Sequence, residues 1–122
     1  KTDFLIILKR CIEQKLHKLS IEWHDDKSIC IVLCSKGYPD TYKNNVLLNL
    51  NELNLKKNNF IFHAGTKNFE KKILSNGGRV LSVVTRSNSF KSARDDTLAL
   101  LKEINWENGF YRKDIGYKVI PQ

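Results

Sequence analysis

Two short apolar runs, separated by glycine and polar residues, dominate residues 60–84. The runs Phe60-Ile61-Phe62 and Val80-Leu81-Ser82-Val83-Val84 are rich in aromatic and β-branched side chains, which favour strands of a buried sheet. Between them, Asn76-Gly77-Gly78 predicts a turn that another backbone or a ligand can approach closely, because glycine has no Cβ. The chain must therefore fold around a sheet whose strands are joined by open turns.

Each of two polar groups in this segment ends in a cation. His63-Ala64-Gly65-Thr66-Lys67 ends in Lys67, and Asn76-Gly77-Gly78-Arg79 ends in Arg79. A fixed cation beside free backbone N–H groups in a glycine-rich turn supplies donors, positive charge and space, which phosphate recognition requires. We therefore predict that Lys67 and Arg79 form an anion site. The alternative stays open that both cations are solvated and that the glycines only shape two turns.

The composition indicates a soluble globular protein with excess positive charge. The 122 residues suit one domain, or one domain with a piece of another. The chain is 41% hydrophobic and 28% charged, and no apolar run approaches the about 20 residues of a membrane span. The net charge of +8 favours a phosphorylated or polyanionic partner, although the cations are dispersed rather than grouped as in a nucleic-acid-binding tail. Because the sequence begins with Lys1, we expect a fragment of a longer protein.

Cys11, Cys30 and Cys34 predict free thiols rather than a disulfide. Cys30 and Cys34 share one apolar run and would lie about 13 Å apart in an extended strand, which is too far for pairing. No Cys-x-x-Cys or Cys/His spacing suggests a metal. We therefore expect buried free thiols in a reducing cytoplasm.

The remaining pattern predicts two helices around the sheet. Apolar residues at helical spacing over residues 4–19 predict an amphipathic helix of about five turns that needs an apolar partner. A second helix should begin at the cap Ser87-Asn88-Ser89 and cover the sheet. The other predicted elements are strands at residues 21–23, 28–34 and 69–74, of which 28–34 is central, and a partly helical connection over 45–59.

Three further groups have both a functional and a structural interpretation. The loop Ser35-Lys36-Gly37-Tyr38-Pro39-Asp40 follows the central strand and is a second candidate wall of a site. His24-Asp25-Asp26 has the chemistry of a metal or acid/base group, but adjacent turn residues normally point into water. Arg112 and Asp114 are favoured as a structural ion pair. The residues alone thus predict an α+β domain with a candidate phosphate site.

Four ordered motifs carry a resemblance to a known family. They are Gly37-Tyr38-Pro39, Phe62-His63-Ala64-Gly65-Thr66-Lys67, Asn76-Gly77-Gly78-Arg79-Val80-Leu81 and Tyr111-Arg112-Lys113-Asp114-Ile115-Gly116. In order and spacing they resemble the C-terminal part of the phosphoribosylamine–glycine ligase (glycinamide ribonucleotide synthetase) family, over almost the whole chain. The resemblance implies an α+β fold with a mainly antiparallel sheet and flanking helices, a barrel-sandwich-related C-terminal domain of the ATP-grasp superfamily. Residues 1–23 would end the ATP-grasp portion, and residues 24–122 would form the C-terminal domain.

The resemblance also implies a function. Members of the family are expected to join 5-phosphoribosylamine and glycine, with ATP and Mg²⁺, to give glycinamide ribonucleotide in purine biosynthesis in the cytoplasm. The family's nucleotide-binding segments and Mg²⁺-ligand motif are missing here, so we expect no catalytic residue, no metal ligand and no bound cofactor in this fragment, which should be inactive alone. Its expected partners are the two substrates and the N-terminal ATP-grasp portion, with no nucleic acid and no membrane.

By analogy with related ATP-grasp enzymes of purine synthesis, Lys67 and Arg79 are implied to hold the ribose phosphate. The supporting loops would contain Gly37, Tyr38, Pro39, His63, Gly65, Thr66, Asn76, Gly77 and Gly78. Asp40 and Asn49 stand where the family usually has Gly, and both residue types tolerate left-handed geometry. Two other functions stay open: a basic nucleic-acid-binding module, and an interaction domain held to an enzyme by the apolar stripe over residues 4–19.

Overall fold

The computed structural model describes residues 1–50 and 52–120. Within this part of the chain all strand pairs are antiparallel, so the α+β class with an antiparallel sheet is confirmed. The helices are α1 (Phe4–Ile12) and α2 (Phe90–Ile104), with short 3₁₀ helices at Leu16–Lys18 and Tyr117–Val119. The strands are β1 (Lys27–Ser35), β2 (Leu47–Leu48), β3 (Asn59–His63), β4 (Thr66–Phe69), β5 (Lys72–Ser75), β6 (Arg79–Ser87) and β7 (Gly109–Phe110).

The strands form two sheets. Four strands pair in the order β3-β6-β1-β7, and three pair in the order β2-β5-β4. The longest ladder joins β1 to β6, from Lys27 opposite Ser87 to Leu33 opposite Leu81. The strand predicted at residues 28–34 is therefore central, as expected, with β6 on one side and β7 on the other.

Helix α2 covers one face of the four-stranded sheet, as predicted. It begins where the Ser89 hydroxyl accepts a hydrogen bond from the Ser92 N–H, and Asn105 ends it in the left-handed conformation. Its apolar stripe faces the alternate residues of β1 and β6 that point the same way. The core residues of α2, β1 and β6 that are at most 3% exposed are Ile31, Leu33, Val80, Leu81, Val83, Ala93, Leu100 and Leu101. Val80 and Leu81 are consecutive and lie where the β1–β6 ladder shifts its register. Each large apolar side chain buried here contributes about 1.5–3 kcal/mol.

The opposite face of the four-stranded sheet is open. Cys30 on β1 points to this face and is exposed, while Cys34 is half-buried and Cys11 on α1 is exposed. The three thiols are free, as predicted, but the expectation that they are buried was wrong. The reason is alternation: α2 covers only one side of β1, and Cys30 and Cys34 lie on the other.

Helix α1 is shorter than predicted. It ends at Ile12 because Glu13 caps it and Gln14 takes a left-handed backbone with φ of 56°, so the five-turn helix over residues 4–19 does not form. None of the α1 residues is buried, and Phe4 and Ile12 are 69% and 84% exposed. No helix among the described residues is long and apolar enough to cross a membrane.

Three smaller predictions were wrong. Residues 66–75 form a hairpin rather than one strand over 69–74, because Glu70 and Lys71, with φ of 49° and 62°, make a two-residue turn between β4 and β5. Residues 21–23 have no strand partner and stay irregular. Among the described residues of 45–59, only β2 and the start of β3 are regular, because Asn-rich segments favour local turns over helix.

Candidate functional site

The loop after β1 is fastened to the double-glycine turn. The Ser35 hydroxyl donates to the Gly77 carbonyl at 2.9 Å, and the Ser35 N–H donates to the Gly78 carbonyl at 2.8 Å. Gly37 has φ of 94°, and a Cβ there would lie 2.0 Å from the Thr41 carbonyl oxygen. Glycine is therefore required for the chain to leave β1 at this angle.

Tyr38 packs directly on the double-glycine turn. A Cβ on Gly78 would lie 1.9 Å from Cδ2 of the Tyr38 ring, so the ring occupies the space that any other side chain would fill. The peptide between Tyr38 and Pro39 is cis. Two of the motifs identified in the sequence therefore form one packed unit.

The third motif joins the same unit through Gly65. The Gly65 N–H donates to the Arg79 carbonyl at 2.8 Å, and the Gly65 carbonyl accepts from the Asn76 N–H at 2.7 Å. A Cβ on Gly65 would lie 2.9 Å from the Gly77 Cα, so the two glycine backbones touch. Beside them, Nδ1 of His63 and Oγ1 of Thr66 share a hydrogen bond of 3.0 Å. The three loops thus meet where the two sheets join.

An open cleft of about 560 Å³ lies where these loops meet, and we call it the glycine cleft. Its volume falls in the range of small-molecule sites. Arg79 lies at the start of β6, is exposed, and forms no ion pair with any described residue. The residues lining the cleft are Val32, Tyr38, Ala64, Gly65, Gly78, Arg79 and Ser82.

The double-glycine turn provides backbone N–H donors next to Arg79 in the sequence. Within residues 1–50 and 52–120, the N–H groups of Gly77 and Gly78 donate to no protein acceptor. Sites that bind oxyanions usually combine free backbone N–H donors with a guanidinium or another cation. The cleft is therefore suited to a phosphate or carboxylate.

Lys67 occupies a different position from Arg79. It lies on β4 opposite Leu74, in the three-stranded sheet, and is not among the residues that line the cleft. Its neighbour Thr66 points towards His63, and successive side chains of a strand point to opposite faces. Lys67 is exposed and has no ion-pair partner among the described residues. A shared pocket for Lys67 and Arg79 therefore stays a prediction.

Sequence reasoning missed Val32 and Ser82 as cleft residues, and Ser35 as the anchor of the loop, whereas Ala64 lay within a predicted motif but was not singled out. A signal existed for Ser82, which is the polar member of an otherwise apolar strand. Ser35 is 2% exposed although it is polar, and its position directly before the glycine loop was the available signal. The other residues sit in a strand and a turn with no distinctive chemistry.

The two departures from the family pattern require no special backbone. Neither Asp40 nor Asn49 has a positive φ, whereas Asn45 does, with φ of 61°. The Asp40 N–H donates to the Gly37 carbonyl at 2.8 Å, so the turn forms with a normal residue at position 40. The left-handed geometry that Asp and Asn tolerate is therefore not used at either position.

Other charged groups serve structure. Asp26 pairs with Arg86 at 2.6 Å, so the group His24-Asp25-Asp26 contributes an ion pair. Arg112 pairs with Asp114 through contacts of 2.9 and 2.5 Å, as predicted. The hydrogen bond from Arg112 holds the pKa of Asp114 below its usual value and raises the pKa of Arg112.

A cluster of metal-binding side chains was sought among the described residues. No group of three or more His, Cys, Asp or Glu side chains within residues 1–50 and 52–120 is arranged to hold a metal ion. Mg²⁺ binds through carboxylate oxygens, usually together with substrate phosphates.

The fold and the cleft define an α+β domain with an open, arginine-lined cleft at the junction of two antiparallel sheets. A family model described as "Phosphoribosylglycinamide synthetase, C domain" matches residues 28–118. The chain belongs to this family, which confirms the resemblance inferred from its four motifs.

Curated relatives support the same family. The chain is 41% identical over 115 residues to the phosphoribosylamine–glycine ligase of Caldanaerobacter subterraneus subsp. tengcongensis, covering 94% of this chain and 27% of that protein. It is 37% identical to the ligase of Fusobacterium nucleatum, covering 99% of this chain and 29% of that protein. A bifunctional purine biosynthetic protein of Dictyostelium discoideum is 39% identical over 98% of this chain and 15% of its own length. The chain thus spans less than a third of the length of these relatives.

A solved structure shows the same fold. The crystal structure of phosphoribosylamine–glycine ligase from Thermotoga maritima superposes with a TM-score of 0.69 and 24% sequence identity. The match covers 89% of this chain and 27% of that one. The arrangement of sheets and helices described above is therefore shared with one part of a larger protein.

Proposed function

We propose that this chain is the C-terminal portion of a phosphoribosylamine–glycine ligase and contributes the site for the phosphate of 5-phosphoribosylamine. Family membership and the names of the relatives support the reaction. The observation that carries the binding role is that Arg79 and Gly78 line the same cleft, and that the N–H groups of Gly78 and its neighbour Gly77 donate to no described protein acceptor. Together they supply a bidentate cation and neutral donors for one phosphate.

The contribution of this site to the reaction is positioning. The Arg79 guanidinium would hold the phosphate at the start of β6, beside the backbone of Gly78. A substrate held at its phosphate keeps its amino group in a defined place, which lowers the entropic cost of bringing it to activated glycine. Lys67 is proposed as a second cation, supported by its exposed side chain two residues beyond Gly65.

ATP and Mg²⁺ are assigned to the part of the ligase that these residues do not include. The support is the short span of this chain, which covers 27% and 29% of two ligases that it matches. ATP with Mg²⁺ supplies activation of the glycine carboxylate when bound. The fragment alone is accordingly proposed to bind substrate phosphate without turning it over, and the whole ligase to act in the cytoplasm.

The proposed division into residues 1–23 and 24–122 is supported by the contacts of the first segment. Thr2 and Glu22 exchange two hydrogen bonds, of 3.1 Å between backbone groups and 2.7 Å to the Thr2 hydroxyl. The α1 residues stay unburied, and the family match begins at residue 28. We propose that residues 1–23 end the ATP-grasp portion and pack on it through the apolar side of α1.

The test is equilibrium binding of ribose 5-phosphate, a stable mimic of the substrate, to the 122-residue chain. Arg79→Ala removes a charged contact worth about 1–3 kcal/mol, so the Kd should rise about 5- to 150-fold. Lys67→Ala should raise it by a smaller or equal factor. The control Lys102→Ala removes one positive charge from the exposed side of α2 and should leave the Kd unchanged. Wild-type affinity in both Arg79→Ala and Lys67→Ala would contradict the proposal.

A further inference from the structure

A second cavity adjoins the glycine cleft on the open face of the four-stranded sheet. Its volume is about 370 Å³, and we call it the apolar cavity. Val32 and Tyr38 line both spaces, so the cavity and the cleft share a wall. The opposite walls come from the outward side of β1 and from the tail that includes Phe110 and Tyr111.

The walls of the apolar cavity suit an uncharged ring. Phe110, Tyr111 and Tyr38 present aromatic surface, which favours planar partners through stacking. Arg112 also lines the apolar cavity, but its guanidinium is already paired with the Asp114 carboxylate at 2.5 Å. Burial raises the pKa of the Cys34 thiol, against the opposing effect of Arg79, so this wall is neutral near pH 7. The cavity thus offers an apolar space beside a site for an anion.

The register of β1 and β6 places the two spaces side by side. Cys34 lines the apolar cavity, Arg79 lines the glycine cleft, and the two are partners across the ladder. Adjacent strands lie about 4.8 Å apart. Because the two spaces share a wall, one molecule with a ring joined to an anion by a short linker, such as a pentose, fits across them.

We propose that the glycine cleft and the apolar cavity together bind a mononucleotide, with its phosphate at Arg79 and its planar base between Tyr38 and the Phe110-Tyr111 segment. This inference rests on the anion site of the proposed function and extends it to a second class of ligand. Phosphoribosylamine has a phosphate but no base, so it leaves the apolar cavity empty. A mononucleotide bound here excludes phosphoribosylamine from the cleft and acts as a competitive inhibitor.

Calorimetric titration of the 122-residue chain tests this with three probes: adenosine 5′-monophosphate, ribose 5-phosphate and adenosine. We expect the nucleotide to bind about tenfold more tightly than ribose 5-phosphate, because one base gains stacking and apolar contacts. Adenosine should bind most weakly, because it lacks the phosphate.

A matched pair of variants locates the base. Cys30 is exposed and lines the apolar cavity but not the glycine cleft, so Cys30→Phe fills the cavity from a strand surface. Cys30→Phe should reduce the affinity for the nucleotide to that for ribose 5-phosphate. The affinity for ribose 5-phosphate should stay unchanged, and this also shows that the variant folds correctly. Cys11→Phe makes the same change on exposed α1 and should alter neither affinity.

The outcomes separate the two proposals. Equal affinity for the nucleotide and ribose 5-phosphate overturns the base site and leaves the anion site intact. An advantage of the nucleotide that survives Cys30→Phe also overturns the base site. Adenosine binding as tightly as the nucleotide, with no binding of ribose 5-phosphate, overturns the anion site, and absence of binding by all three probes overturns both.

Discussion

Replacement of Gly65 by Ala tests the close contact that forms the glycine cleft. The new Cβ would lie 2.6 Å from the Arg79 carbonyl oxygen and 2.9 Å from the Gly77 Cα, and both are backbone atoms that cannot rotate away. Gly65 has no positive φ, so the cost arises from crowding rather than backbone strain. The two segments must therefore separate.

The expected loss of stability follows from the contacts that are broken when the Gly65 segment moves away from residues 77–79. Overpacking costs about 1–3 kcal/mol. Weakening the hydrogen bonds from Gly65 to Arg79 and from Asn76 to Gly65 costs about 1 kcal/mol each. Loss of glycine flexibility in the unfolded chain returns about 0.4–1 kcal/mol. We expect Gly65→Ala to lower the free energy of unfolding by about 2–4 kcal/mol.

Urea denaturation followed by circular dichroism measures this difference. Gly77→Ala is the matched control, because its Cβ would meet the Gly65 Cα at 3.1 Å and otherwise only the Arg79 carbonyl oxygen at 4.0 Å. It should cost about 1 kcal/mol or less, since a shift of a few tenths of an ångström relieves it. If Gly65→Ala were as stable as the wild type, the backbones of Gly65 and Gly77 would not touch as described, and the contact that joins the two loops at the glycine cleft would be absent.

Other predictions follow from the same structure. Arg112→Ala should raise the pKa of Asp114, measured by NMR titration, because the hydrogen bond from Arg112 lowers it. Since the pKa of Asp114 is depressed in the folded protein, the pair stabilises the fold above the unfolded pKa, and this stabilisation is lost as the pH falls through the folded pKa. An unchanged pKa of Asp114 in the variant would refute the pairing. A nucleic-acid-binding module would bind an oligonucleotide with strong salt dependence, and we expect no such binding, because the cations are dispersed. The exposed side chains of α1 should bind a hydrophobic dye, and Phe4→Ser with Ile12→Ser should reduce the fluorescence, unlike Phe69→Ser on β4.

The sequence predicted the parts of the fold in which one signal dominates. Strand β1, strand β6 and helix α2 have strong apolar periodicity or a clear cap, and all three form. Helix α1 was predicted too long because Gln14 gives no sequence signal for its left-handed backbone. The β4–β5 hairpin was missed because Glu70-Lys71 lacks the Asn or Gly typical of such turns.

The candidate site was predictable to a similar extent. The Asn76-Gly77-Gly78 turn indicated a close backbone approach, and Gly77 makes it with Gly65. The exposure of Cys30 was not predictable, because a strand with two apolar faces does not reveal which face a helix covers. The apolar cavity was not foreseen, because Tyr111 reaches β1 from a tail distant in sequence.

The central claim is that the glycine cleft binds the phosphate of a phosphorylated sugar at Arg79. The most direct measurement is an NMR titration of the 122-residue chain with ribose 5-phosphate, following the backbone amide signals. The account predicts that the largest shifts occur at Gly77, Gly78 and Arg79, and that Arg79→Ala abolishes them at the same ligand concentration. Shifts spread over dispersed lysines, with those three amides unmoved, would contradict it.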